Sequence, residues 1–133
     1  MARRYGVALM YLFGSRAAVG AARLRGHPVA ADDPLADLDL AVVFREGLPA
    51  VPRRPAVYAG LYGDLADLFG PLRLDLVFAQ ETHVVFQGEI IKGICIYAVD
   101  ENVKTDYEIA VARYAADFRP VLERALAEAL EEV

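Results

Sequence analysis

Cysteine is almost missing from this sequence, and Cys95 stands alone. No disulfide can close within the chain, which fits a reducing cytoplasm. Cys95 lies in the apolar run ICIYAV and reads as a buried strand residue, not a nucleophile. Long apolar runs are missing too, so no membrane span is expected. The stretch VALMYLF follows Arg3 and Arg4, but it is short and runs into FGSR without a cleavage pattern, so it is no secretory signal. Positive charge is in deficit. The net charge of −5 argues against a broad basic surface for nucleic acid. No paired cysteines and no His-x-x-x-His spacing occur, which excludes the usual zinc sites. No Gly-x-Gly-x-x-Gly or Gly-Lys-Ser/Thr loop occurs, which argues against dinucleotide-binding and P-loop chemistry. There is no internal repeat.

The 133 residues suffice for one domain, 1–133, with one core and no separate substrate domain. An apolar content of 56% argues against disorder. Gly6 to Phe13 (GVALMYLF) reads as a buried strand, stopped by Gly14. Ser15 is placed to cap a helix from Arg16 to Arg23. Residues 25–35 carry loop chemistry in Gly26, Pro28, Asp32, Asp33 and Pro34. Asp37 to Phe44 (DLDLAVVF) is the next strand, central in a covered sheet because its downstream half is apolar on both faces. After a proline-rich connection, Val57, Leu61, Leu65 and Leu68 give helical spacing over 56–69, ended by Gly70-Pro71. Leu72 to Phe78 is a third strand, residues 80–92 suggest a short helix, and Ile94 to Val99 is a fourth strand. Residues 105–127 read as helix, with Thr105 and Glu108 as a capping box and Pro120 as a kink or a new start. The fold class is therefore α/β (α+β): a mixed sheet of about four strands with helices packed on it and a C-terminal helical segment.

Carboxylates stand where strands do not want them. Asp37 and Asp39 are two apart, so on a strand they share a face and repel each other. Strand interiors are depleted in Asp, and an oxygen-rich pair suits Mg²⁺. The bland alternative puts both in the preceding turn, facing water. Asp75 interrupts Leu74, Leu76, Val77 and Phe78 and could reach the same site from a neighbouring strand, or pair with Arg73 or Arg16. Gly14-Ser15 supplies the complementary half. Glycine lets backbone approach a phosphate, a helix start offers N–H donors, and Arg16 can pair with phosphate. His27 reads as solvated, His83 as a core-edge residue, and Tyr58, Tyr62, Tyr97, Tyr107 and Tyr114 as packing. The acidic C-terminus (Glu123, Glu128, Glu131, Glu132) reads as a solvated helix face.

YLFGSRAAVG followed by DLDLAVVF resembles the Gly-Ser and Asp-x-Asp signature of the DNA polymerase beta nucleotidyltransferase superfamily, and Asp75 in LRLDLVF resembles its third carboxylate. The small size and the tail from EIIKGICIYAVDE through TDYEIAVARYAADFRPVL resemble the minimal nucleotidyltransferases, antitoxin-type partners of HEPN-domain ribonuclease toxins. The resemblance covers nearly the whole chain. It implies a metal-dependent transfer of AMP from ATP to a tyrosine hydroxyl of such a toxin. Asp37, Asp39 and Asp75 would be the catalytic, metal-holding residues, for Mg²⁺ or Mn²⁺, and Gly14, Ser15 and Arg16 would bind the nucleotide. Two other functions fit the sequence: an antitoxin that only masks the toxin, and a transferase acting on a small molecule such as an aminoglycoside. An oligomer, with itself or with the partner, is compatible with either. Two departures stand out. Residues 16–36 separate Ser15 from Asp37, about twice the family's usual interval, and could fold over the nucleotide site. Ala36 stands where the family often has Ser.

Overall fold

The computed structural model describes residues 1–27 and 37–131. The expected loop over the nucleotide site falls mostly on residues 28–36. These residues, with Asp32 and Asp33, lie outside the described ones.

The described elements are α1 (Ala2–Tyr5), β1 (Val7–Phe13), α2 (Ala17–Leu24), β2 (Leu38–Phe44), α3 (Arg54–Phe69), β3 (Leu74–Phe78), α4 (Val84–Ile91), β4 (Ile94–Ala98) and α5 (Glu101–Glu131). Short 3₁₀ turns precede α3 and follow β3. The sheet order is β3-β2-β1-β4. β1 runs antiparallel to both β2 and β4, and β2 runs parallel to β3, so the sheet is mixed.

Both central strands are buried along nearly their whole length. Alternation sends Met10, Leu12, Leu38, Leu40, Val42, Leu74 and Leu76 to one core with Ala21 of α2 and Val57, Leu61, Leu65 and Phe69 of α3. It sends Ala8, Tyr11, Ala41 and Val43 to a second core with Ile90 of α4 and Val103 and Tyr107 of α5. Helices thus cover both faces, which is why these strands read as continuous apolar runs. The fourth core position of α3 is Phe69, fully buried, and Leu68 is 48% exposed. The helix keeps a strict four-residue step from Val57.

Two part-buried phenol hydrogen bonds border the second core. The Tyr11 hydroxyl donates to Glu108 Oε2 at 3.1 Å, and Tyr107 donates to Gln87 Oε1 at 2.7 Å. These bonds satisfy phenols that would otherwise lose water, and they tie α5 to the sheet and to α4. α4 and α5 approach closely at Gly88, where an added Cβ would lie 3.2 Å from Ala115 Cβ.

Several local expectations shift. α2 starts at Ala17 with Arg16 at the cap position and no side-chain cap, so Ser15 is a turn residue and not the N-cap. The chain needs that extra turn to leave β1 through Gly14, whose φ is +75°. His83 is no core-edge residue: its ring nitrogen accepts the Val85 N–H at 3.1 Å and caps α4, with the ring 4.5 Å from that of Phe118. α5 begins at Glu101, not Thr105, because the Asp100 carboxylate accepts the Asn102 N–H at 2.7 Å. It passes through Pro120 as one helix, with no new start there. Among the tyrosines expected to pack, Tyr58, Tyr62 and Tyr114 are exposed.

Candidate functional site

The end of β1 and the start of β2 are neighbours because the two strands are antiparallel, with Phe13 opposite Asp39. The start of β3 lies beside the start of β2 because those two are parallel, with Asp39 level with Asp75. One end of the sheet therefore gathers the Gly14-Ser15 turn, Asp39 and Asp75. Paired residues of adjacent strands share a face, so the Asp39 and Asp75 carboxyls stand side by side on the face covered by α4 and α5.

Gly14 presses against this pair. A Cβ built there would lie 2.5 Å from Asp39 Oδ2, inside contact distance. Its left-handed backbone alone also favours glycine. Two independent reasons thus require Gly14, and both come from the turn that carries the chain over the carboxylate.

The Asp39 carboxyl is pushed above the usual carboxylate range, by burial first and then by the Asp75 carboxylate and a hydrogen bond with it, with Asp37 adding a smaller push. All of these influences disfavour the charge.

Asp37 behaves differently. It precedes β2, and its Oδ1 accepts from Arg73 Nε at 2.8 Å in an exposed ion pair. Its neighbourhood to Asp39 is therefore electrostatic, and its carboxylate is turned to Arg73. Among the described residues, no three His, Cys, Asp or Glu side chains form one metal-holding group. Asp39 and Asp75 are brought together, and Asp37 stands beside them. Ser15 is exposed at the turn, and Arg16 opens α2.

Two cavities lie against the sheet, one of them at this end. One, of about 360 Å³, is lined by Gly14 and Ser15 on one wall and by Lys92 and Gly93 on the other. The Phe13 and Phe86 rings meet edge-on beside it, 5.7 Å apart. The other, of about 610 Å³, lies at the far end of β3, between Leu76, Phe78 and Thr82 and the start of α3 at Arg54 and Tyr58. The Tyr58 hydroxyl is pushed up by burial and then by the Asp75 carboxylate, and its ring packs against that of Phe78. The sequence reading missed Lys92. It sits in no motif, and only the α4–β4 turn brings it here.

A profile described as "Polymerase beta, Nucleotidyltransferase" matches residues 1–102. The chain belongs to this family. The matched span contains Gly14-Ser15, Asp37, Asp39 and Asp75, and it ends at the start of α5. No protein with a curated description matches the chain by sequence. Among solved structures, the nucleotidyltransferase resembles a chain of a toxin–antitoxin complex with AMP-PNP, at 15% identity and TM-score 0.52, covering 94% of this chain and 92% of that one. It also resembles a chain from a complex of a tri-AMPylated Shewanella oneidensis HEPN toxin with an MNT antitoxin. There the identity is 15% and the TM-score 0.53, with 93% and 88% of the two chains covered. An MntA–HepT toxin–antitoxin structure aligns at 14% identity and TM-score 0.51, covering 91% of this chain and 85% of that one. At these identities the likeness is one of fold, and it includes the long C-terminal helix beyond the family match. No helix among the described residues is long and apolar enough to cross a membrane.

Cys95 takes no part in the site. Its thiol donates to the Tyr97 carbonyl at 3.3 Å, and burial pushes it up, which makes it a poor nucleophile.

Proposed function

We propose that this nucleotidyltransferase moves AMP from ATP to a tyrosine hydroxyl of a HEPN-domain toxin and thereby silences it, with the whole chain acting as one domain. The observation that carries the reading is the side-by-side pair Asp39–Asp75 under the Gly14-Ser15 turn. A masking surface has no use for two carboxylates that repel each other.

The donor set fits a divalent cation. Two oxygen ligands stand level on adjacent strands, and every group that shifts Asp39 is burial or another carboxylate. Asp39 and Asp75 would hold the ion, Mg²⁺ or Mn²⁺, with Asp37, here paired to Arg73, as a further ligand. The ion supplies charge neutralisation at the triphosphate. Gly14 brings backbone close to the phosphates, Ser15 offers its hydroxyl, and Arg16 pairs with phosphate charge. Asp75 takes the proton of the acceptor hydroxyl. The acceptor oxygen bonds to the α-phosphorus, the bond from that phosphorus to the bridging oxygen breaks, and pyrophosphate leaves. Positioning and charge account for most of such a step.

The acceptor assignment rests on two things. The described residues hold no cavity that encloses both Asp39 and Asp75, and the fold matches antitoxins solved with toxins, one of those toxins AMPylated. Incubated with its cognate toxin, ATP and Mg²⁺, the protein should add AMP to a toxin tyrosine, seen as a mass gain. Asp39→Ala and Asp75→Ala should abolish the gain and leave the complex largely intact, because these groups act on the transition state more than on surface fit. Ser15→Ala should slow transfer less. Silencing of the toxin by the parent protein with no mass change would favour the masking function instead.

A further inference from the structure

We propose that Lys92 is a positioning residue for the β- and γ-phosphates of the nucleotide, facing the Gly14-Ser15 turn across the cavity between them. The inference rests on the nucleotidyltransferase reading above. The turn after β1 forms one wall of the 360 Å³ cavity through Gly14, Ser15 and Ala17, and the α4–β4 turn forms the other through Glu89, Lys92 and Gly93. Gly14 both abuts the Asp39 carboxylate and lines this cavity, so the cavity begins one residue from the carboxylate pair. A phosphate chain anchored at Asp39 and passing the Gly14 backbone runs into it.

The position of Lys92 is fixed by its neighbour. A Cβ at Gly93 would collide with the Leu12 carbonyl oxygen, so only glycine lets the α4–β4 turn close on the end of β1. That close approach holds residue 92 opposite Ser15. Lysine is scarce in this chain, which has Lys92 and Lys104 against twelve arginines, and one of the two stands at this cavity.

Lys92 can leave its present partner cheaply. It donates to Glu89 Oε1 at 3.1 Å in an exposed ion pair, the kind that contributes little. Glu89 does not become an unpaired negative charge when Lys92 swings to phosphate, because Arg119 Nη2 already stands 3.5 Å from the same oxygen. Glu89 therefore holds Lys92 at the rim in the nucleotide-free chain, and Arg119 holds Glu89 back when phosphate takes Lys92.

The test is calorimetric titration of the full chain with ATP and, separately, with AMP, in Mg²⁺. Lys92→Ala should weaken ATP binding about tenfold and leave AMP binding within about twofold, since AMP lacks the phosphates in question. Lys92→Arg should recover most of the ATP affinity. The melting temperature without nucleotide should not move, because the side chain is largely solvated. Equal binding of ATP by parent and Lys92→Ala would overturn the inference, and so would a loss shared equally by ATP and AMP. If the parent protein bound no ATP at all, the nucleotidyltransferase reading would fail first and take the inference with it.

Discussion

Asp39 is the residue at which folding and function pull against each other. In the folded chain its carboxyl holds its proton more tightly than an exposed aspartate, through burial first and Asp75 second. A raised folded value means that the folded state binds the proton better than the unfolded chain. The stabilising contribution is then full below the ordinary range, at about pH 4, and is lost as pH rises through the raised value. Without divalent cation, the melting temperature of the parent should fall relative to that of Asp39→Asn as pH rises from about 4 towards neutral. A constant difference across that window would show that the pair stores no such cost. Gly14 answers to the same geometry. Gly14→Ala should cost about 1–2 kcal/mol from its left-handed backbone. It should also displace the Asp39 carboxylate that its Cβ would strike. Chemical denaturation gives the first effect, and loss of AMP transfer gives the second.

Among the elements, α3 and α5 make a contrast. α3 buries one residue per turn (Val57, Leu61, Leu65, Phe69) against the sheet, and this packing sets the Tyr58 ring against Phe78. Leu61→Ala removes a fully buried side chain and should destabilise by about 2–5 kcal/mol, read from the denaturation midpoint. α5 buries side chains only in its first half, at Val111 and Ala115. Tyr114 between them, and Val121, Leu126 and Leu130 beyond them, are more than half exposed. Pro120 lies in this outer part, where it removes a backbone hydrogen bond and crowds the preceding turn. Pro120→Ala should raise amide protection over residues 116–131 and leave the global midpoint nearly unchanged, because the helix beyond Pro120 adds little to either core. Hydrogen exchange resolved by residue would separate the two effects. A matching rise in the global midpoint would mean that the outer half folds with the core.

For the whole molecule, the proposed chemistry links stability to ligand. Anything that binds only the folded chain stabilises it, by about 2.7 kcal/mol at about a hundredfold excess over Kd. Mg²⁺ with ATP should therefore raise the melting temperature of the parent, and the double variant Asp37→Asn, Asp39→Asn should lose that rise. An unchanged rise in the double variant would move the metal elsewhere. Asp37 alone should matter less than Asp39, because its carboxylate must first leave Arg73.

The sequence by itself determined the strands, because apolar runs such as VALMYLF and LAVVF have no other use in a chain of this length. It also singled out Asp39 and Asp75, because aspartate in such runs is anomalous, and it singled out Gly14. It could not say that Asp37 lies just outside β2. Strand ends are set by pairing, here by the Leu38 N–H donating to the Arg73 carbonyl at 2.7 Å, and not by local composition. It could not give Ser15 its place either, because the start of α2 depends on how Gly14 clears the Asp39 carboxylate. The parallel register that sets Asp39 level with Asp75 joins residues far apart in the chain, and it exists only once α3 has crossed from β2 to β3. Lys92 opposite Ser15 follows from the antiparallel return of β4 along β1, with Leu12 level with Ile94. These juxtapositions are long-range consequences of sheet pairing, and no local pattern of residues encodes them.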